Sequence, residues 1–131
     1  MKALYFILGF LILHNLPSMA QNSKRVSAKL FYSLTQKHPN SLIIDVRPSK
    51  KFSQYRIHNA APAPEKEDLK ELVILVPKND TLFVYCEKDI RTKPAAELLD
   101  SLGYTNVFEL KGGLISWRRN GLPLDEEVFD H

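Results

Sequence analysis

Apolar and polar positions change period several times along this chain, and each change marks an element. Leu30, Phe31 and Leu34 recur at the spacing of one helical face behind Ser27, a residue type that caps helices. They predict a helix over residues 27–37, closed before Pro39. Residues 41–46 form a short, mostly apolar run between Asn40 and Pro48, the pattern of a strand buried on both faces. Ser49 is expected to cap a short helix carrying Phe52 and Tyr55. Residues 60–64 contain two prolines and must be extended, and residues 67–73 return to a helical pattern. After a turn at Asn79 and Asp80, residues 81–85 are the strongest strand signal and end directly at Cys86. Pro94 fits the first turn of a helix over residues 92–102, where Ala95, Leu98, Leu99 and Leu102 share a face and Gly103 closes it. A strand over 106–110, a Gly112-Gly113 loop and a last helix over 114–120 follow. Residues 21–25 are polar and are expected to fray.

Strands alternating with helices predict an α/β fold with a mostly parallel sheet and helices on both faces. In such folds ligands lie beyond the carboxyl ends of the strands. Asp45, Val46 and Arg47 end one predicted strand and Cys86 ends another, so two strand ends converge on one crevice.

Residues 1–20 stand apart from this pattern. Lys2 gives a positive start, residues 3–13 are almost wholly apolar, and Ser18-Met19-Ala20 supplies small residues where a signal peptidase reads. This predicts a signal peptide cleaved after Ala20, an exported protein in the periplasm or outside the cell, and a single domain over residues 21–131 with its core at about 26–124. An uncleaved anchor is the alternative, but the apolar run falls short of the ~20 residues of a spanning helix. With cleavage, no membrane association is expected.

Composition adds exclusions. At 44% hydrophobic and 25% charged, with a formal charge of +3, the chain reads as ordinary globular protein. No basic stripe interleaved with aromatics appears, so nucleic acid is not an expected partner. The four histidines lack ligand spacing, so no metal is expected. A single cysteine excludes an intramolecular disulfide, and nothing demands more than a monomer.

That cysteine opens the segment Cys86-Glu87-Lys88-Asp89-Ile90-Arg91, between a buried strand and a helix start. A loop curling around the sulfur aims backbone N–H groups at it, the following helix adds its positive end, and Arg91 adds a fixed charge. Each favours the thiolate, the form that attacks or carries sulfur. A small buried hydrophobe at a strand end is the alternative reading, and Cys-x4-Arg spacing alone does not separate the two.

From about Val26 to Leu124 the chain resembles the rhodanese family. Residues 42–47, ending in Asp45-Val46-Arg47, are similar to the family's strand and Asp-Val-Arg signature. Tyr85-Cys86 with Arg91 resembles its active-site loop. Ala95-Ala96, Leu98, Leu99, Gly103-Tyr104, Asn106-Val107, Gly112-Gly113 and Trp117 resemble its closing pattern in order and spacing. The resemblance implies a single rhodanese-like domain with a central five-stranded parallel sheet, and a sulfurtransferase without cofactor. Cys86 is then the persulfide-forming nucleophile. The amides of residues 87–91 cradle the outer sulfur, Arg91 fixes the loop, and Asp45 and Arg47 brace it from the neighbouring strand end. A small sulfur donor (thiosulfate, a persulfide or a polysulfide) and a thiol acceptor or partner protein follow as partners.

The chain also departs from the family. Only Ile57 and Ala60 survive of the usual Gly-His-Ile-Pro-Gly-Ala stretch, here residues 55–60. Glu87 and Asp89 stand where many sulfurtransferases carry small or basic residues. With Lys88 and Arg91 the loop side chains cancel, and a thiolate makes the loop net negative. Weak thiosulfate activity is the expectation, with persulfides, polysulfides or protein thiols preferred. Phosphatases of related fold place one more residue between Cys and Arg, so the spacing here favours sulfur over phosphate. A non-catalytic partner-binding module and a redox-sensing thiol remain as alternative functions. Trp117 and the glycine pair read as structural, His58 as a solvated loop residue, and Arg118-Arg119 as a solvated face.

Overall fold

The computed structural model describes residues 23–127. The signal segment over residues 1–20, and with it the domain's outer bounds, lies outside the described residues. In chain order the elements are β1 (Ser23–Val26), α1 (Ala28–Lys37), β2 (Leu42–Asp45), α2 (Ser49–Gln54), β3 (Tyr55–Arg56), β4 (Ala60–Pro62), α3 (Lys66–Val73), β5 (Thr81–Tyr85), α4 (Thr92–Ser101), β6 (Asn106–Leu110), α5 (Gly113–Arg119) and β7 (Asp125–Glu126).

Five strands form one parallel sheet in the order β1-β6-β5-β2-β4, giving the α/β architecture with helices on both faces. The mostly apolar runs of β2 and β5 reflect burial on both sides, since alternate side chains feed two separate cores. Ile44, Leu82, Val84 and then Val46 and Cys86 pack toward α3 and α4, against Leu69, Val73, Ala95 and Leu99. Ile43, Phe83 and Tyr85 face α1 and α5, where Phe31, Leu114 and Trp117 complete the layer. Phe31 meets Phe83 and Trp117 edge-on, at centroid separations of 5.2 and 6.2 Å.

Three local readings change, one of them the place of Tyr55, which lies in β3 and not on α2. Residues 23–26 do not fray: they form β1, which pairs in parallel with β6 from Ser23 opposite Val107 to Val26 opposite Leu110. The strand is polar because it lies at the sheet edge with Lys24 and Arg25 exposed, so the alternation that marks a buried strand is missing. Ser49 does not cap α2; Pro48 does, its carbonyl accepting from the amides of Lys51 at 2.9 Å and Phe52 at 3.2 Å. The extended segment at residues 60–64 begins as β4, paired beside β2. By contrast Ser27 does cap α1, its hydroxyl accepting from Leu30 N at 3.3 Å.

A second, two-stranded sheet pairs β3 with β7, antiparallel. It fastens the carboxyl-terminal part of the domain beside the segment that departs from the family pattern. The turn after β3 needs Asn59 at φ 64°, a left-handed conformation that asparagine tolerates better than most residues. His58 is the solvated loop histidine expected, 75% exposed, and its Nδ1 also lies 2.8 Å from an Asp125 carboxylate oxygen. Among the described residues no helix is long and apolar enough to cross a membrane.

Candidate active site

β2 and β5 run side by side with Asp45 opposite Tyr85, so the residues that follow, Val46-Arg47 and Cys86, leave the sheet together. Because side chains alternate, Cys86 turns toward the α3/α4 face while Asp45 and Tyr85 turn toward α1 and α5. The thiol and its supporting ion pair therefore lie on opposite sides of one sheet edge.

Cys86 is a free cysteine and only 2% exposed. The Thr92 hydroxyl, at the start of α4, donates to its sulfur at 2.8 Å. The thiol in turn faces the Lys88 carbonyl at 3.1 Å. Within the loop only the amide of Ile90 is taken by the backbone, by Lys88 O at 2.7 Å. The amides of Glu87, Lys88, Asp89 and Arg91 have no protein acceptor among the described residues.

The loop's carbonyls, by contrast, are engaged from behind. Leu114 N donates to Cys86 O at 2.9 Å and Ile115 N to Glu87 O at 3.3 Å, so the first turn of α5 holds the loop backbone. This contact explains the second glycine of the pair. Gly113 has φ 61°, and a Cβ there would come within 2.4 Å of Glu87 O.

Asp45 and Arg47 form a buried pair, 0% and 1% exposed. The Arg47 guanidinium reaches Asp45 through Nε at 3.0 and 3.1 Å and through Nη2 at 2.8 Å. Asp45 also accepts from the Arg47 amide at 2.9 Å and the Tyr85 hydroxyl at 2.6 Å. Tyr85 accepts the Ile57 amide at 3.1 Å, which ties in the loop before β4. Burial, then the neighbouring Asp45 carboxylate, pushes the Tyr85 hydroxyl far above its ordinary value, so it stays protonated and donates. Burial alone lowers the Arg47 value, but the bonds and charge of Asp45 outweigh it and hold the guanidinium charged.

The acidic loop residues do not stand as open anions. Glu87 is bound by Arg47 Nη1 at 3.3 Å and by Arg118 Nη2, with the Tyr55 hydroxyl at 3.4 Å. Contact with Tyr55, and then with Glu87, raises Arg118 above the ordinary arginine value. Asp89 pairs with Arg25 of β1 at 2.7 Å and accepts the Gly112 amide at 2.9 Å. The negative loop obtained from residues 86–91 alone is thus countered by three arginines brought in by the fold. Arg118, read from sequence as part of a solvated face, is one of them.

Arg91 does not touch the sulfur. Its Nη1 donates to Val46 O at 3.3 Å and Pro64 O at 3.4 Å, bridging the loop to the ends of β2 and β4. Beside it lies a groove of about 520 Å³ between α3 and α4, walled by Val46, Pro64, Leu69, Arg91, Ala95 and Leu98. Lys88 and Ile90 point outward, Ile90 at 80% exposure.

Sequence reasoning missed Thr92, although a hydroxyl directly after Arg91 at a helix start was a usable signal. It also missed Arg25, Tyr55 and Arg118 as partners of the loop; these depend on pairings 31 to 64 residues apart, which no local spacing carries. No cluster of metal-ligating side chains occurs among the described residues.

Comparison with known proteins places this geometry. A sequence profile described as the rhodanese-like domain matches residues 27–120. The thiosulfate sulfurtransferase PspE of Escherichia coli is 40% identical over 72 residues, covering 54% of this chain and 68% of that protein. A sulfurtransferase of Allochromatium vinosum is 31% identical over 83 residues, covering 63% and 77%. The crystal structure of the Alr3790 protein from Anabaena sp. superposes with a TM-score of 0.69 at 30% identity, over 79% of this chain and 83% of that one. With the parallel sheet, the strand-end cysteine and this match in agreement, the chain belongs to the rhodanese-like domain family.

Proposed function

We propose that this chain is an exported sulfurtransferase that carries sulfane sulfur as a persulfide on Cys86. The observation that carries the reading is the setting of the sulfur: buried, hydrogen-bonded by Thr92, and enclosed by a loop with four amides free of protein acceptors. Relatives named as thiosulfate sulfurtransferases support the reaction class. In the first step the Cys86 thiolate attacks the outer sulfur of a donor. The Sγ–S bond forms, the donor's S–S bond breaks, and sulfite (from thiosulfate) or a thiolate (from a persulfide) leaves with the bonding pair. The persulfide's outer sulfur is an anion, and unpaired loop amides are the groups suited to hold it. In the second step an acceptor thiolate or cyanide attacks that sulfur, and Cys86 leaves as thiolate. No cofactor enters.

The exposed Ile90, beside Lys88 at the loop tip, favours a protein thiol among the acceptors, since a buried sulfur is approached across this rim. Export rests on residues 1–20, whose charge and apolar pattern is that of a signal peptide. The test is a single-turnover reaction without acceptor. Thiosulfate or benzenethiosulfonate should release one equivalent of sulfite or sulfinate per chain, and Cys86→Ser none. No release from either donor, or from a persulfide donor, favours the non-catalytic binding module. Periplasmic recovery of a protein starting at Gln21 tests export.

A further inference from the structure

We propose that Glu87 sets the donor preference of this site, acting as an internal counter-ion that holds Arg118 in a neutral pair beside the thiol loop. The inference rests on the sulfur-transfer reading and deepens it. Glu87 follows Cys86 directly, yet its carboxylate turns away from the tip into a built cluster. Arg47 and Arg118 both bind it, and the Tyr55 ring lies against both guanidiniums, 4.9 Å from Arg47 and 4.8 Å from Arg118.

The two arginines are not equivalent. Arg47 is buried and already neutralised by Asp45 through three side-chain contacts. Arg118 has 40% of its side chain exposed, and Glu87 is the carboxylate bonded to it. The helix that carries Arg118 is itself fixed to the loop, through the Leu114 and Ile115 amides. Removing the Glu87 charge therefore leaves one uncompensated guanidinium anchored beside the thiol loop, with the loop backbone still held. Asp89 cannot replace it, being occupied by Arg25 and Gly112.

The consequence is graded by donor charge. In the wild-type protein the Glu87–Arg118 pair adds no net field, so a dianionic donor gains little. With Glu87→Gln one positive charge is left beside the loop, and its attraction for an incoming anion scales with the donor's charge. The KM for thiosulfate, a dianion, should fall about five- to tenfold, and that for benzenethiosulfonate, a monoanion, only about two- to threefold. The gain should shrink with added salt. Glu87→Asp, which keeps the charge, should behave as wild type. The double variant Glu87→Gln/Arg118→Gln should return the thiosulfate KM to within about twofold of wild type, because the freed charge is gone.

A readout independent of sulfur transfer separates this proposal from the reading it rests on. Iodoacetate and iodoacetamide alkylate the same thiolate but differ by one charge, so the ratio of their rates at Cys86 cancels changes in ionisation and access. Glu87→Gln should raise the iodoacetate-to-iodoacetamide ratio about two- to threefold, and the double variant should reverse it. An unchanged or lowered ratio overturns the proposal, as does an equal KM change for the two donors. A raised ratio in a protein that takes sulfur from no donor leaves Glu87 as the charge determinant and removes the sulfurtransferase reading instead.

Discussion

The two sides of the Cys86 loop are held by different physics. Behind it, Asp45, Arg47 and Tyr85 form a dry network in which the Asp45 carboxylate takes the Arg47 guanidinium and the Tyr85 hydroxyl at 2.6–3.1 Å, shielded from water. At its outer edge, Asp89–Arg25 and Glu87–Arg118 are ion pairs whose side chains keep between 28% and 50% of their surface exposed. Charges buried in this way are costly to separate, whereas exposed pairs are screened and contribute little to stability. The dry network is thus a structural keystone for the crevice, and the wet pairs are free to tune the charge that a substrate meets.

The contrast makes graded predictions. Arg47→Ala leaves Asp45 buried without its partner and should destabilise the domain by about 3–5 kcal/mol, read by denaturant unfolding. A loss near that of a surface ion pair would remove the distinction between the two sides. Gly113→Ala forces a Cβ onto the Glu87 carbonyl at positive φ and should cost about 1–3 kcal/mol, with sulfur uptake slowed because the loop moves. Thr92→Val keeps the volume but removes the hydroxyl at the sulfur. It should slow alkylation of Cys86 by iodoacetamide about tenfold, from loss of a hydrogen bond to a charged group, with little change in unfolding. Asp89→Asn should cost under about 1 kcal/mol and lose its effect at high salt.

Much of the crevice was legible in the sequence, because it is built from local features. The apolar runs ending at Asp45 and Tyr85, the prolines around residues 60–64 and the helix start after Arg91 all announce themselves within a few residues. What escaped depends on contacts far apart in the chain. β1 is a polar edge strand whose only signal is its pairing with β6. The β3–β7 pairing is two residues long on each side and lies in the stretch that leaves the family pattern. The charge of the loop depends on the fold for the same reason. Glu87 and Asp89 are acidic in the sequence, but Arg25, Arg47 and Arg118 reach them only through the fold. The counter-ion reading of Glu87 follows from that difference and was not available from residues 86–91 alone.

Intact-mass measurement of the protein after incubation with a sulfane donor tests sulfur carriage on Cys86 most directly. Wild type should gain the mass of one sulfur, lose it on treatment with cyanide, and show neither change as Cys86→Ser. A glutathione or disulfide adduct without a sulfur adduct, or no adduct with thiosulfate, benzenethiosulfonate and polysulfide alike, would contradict it.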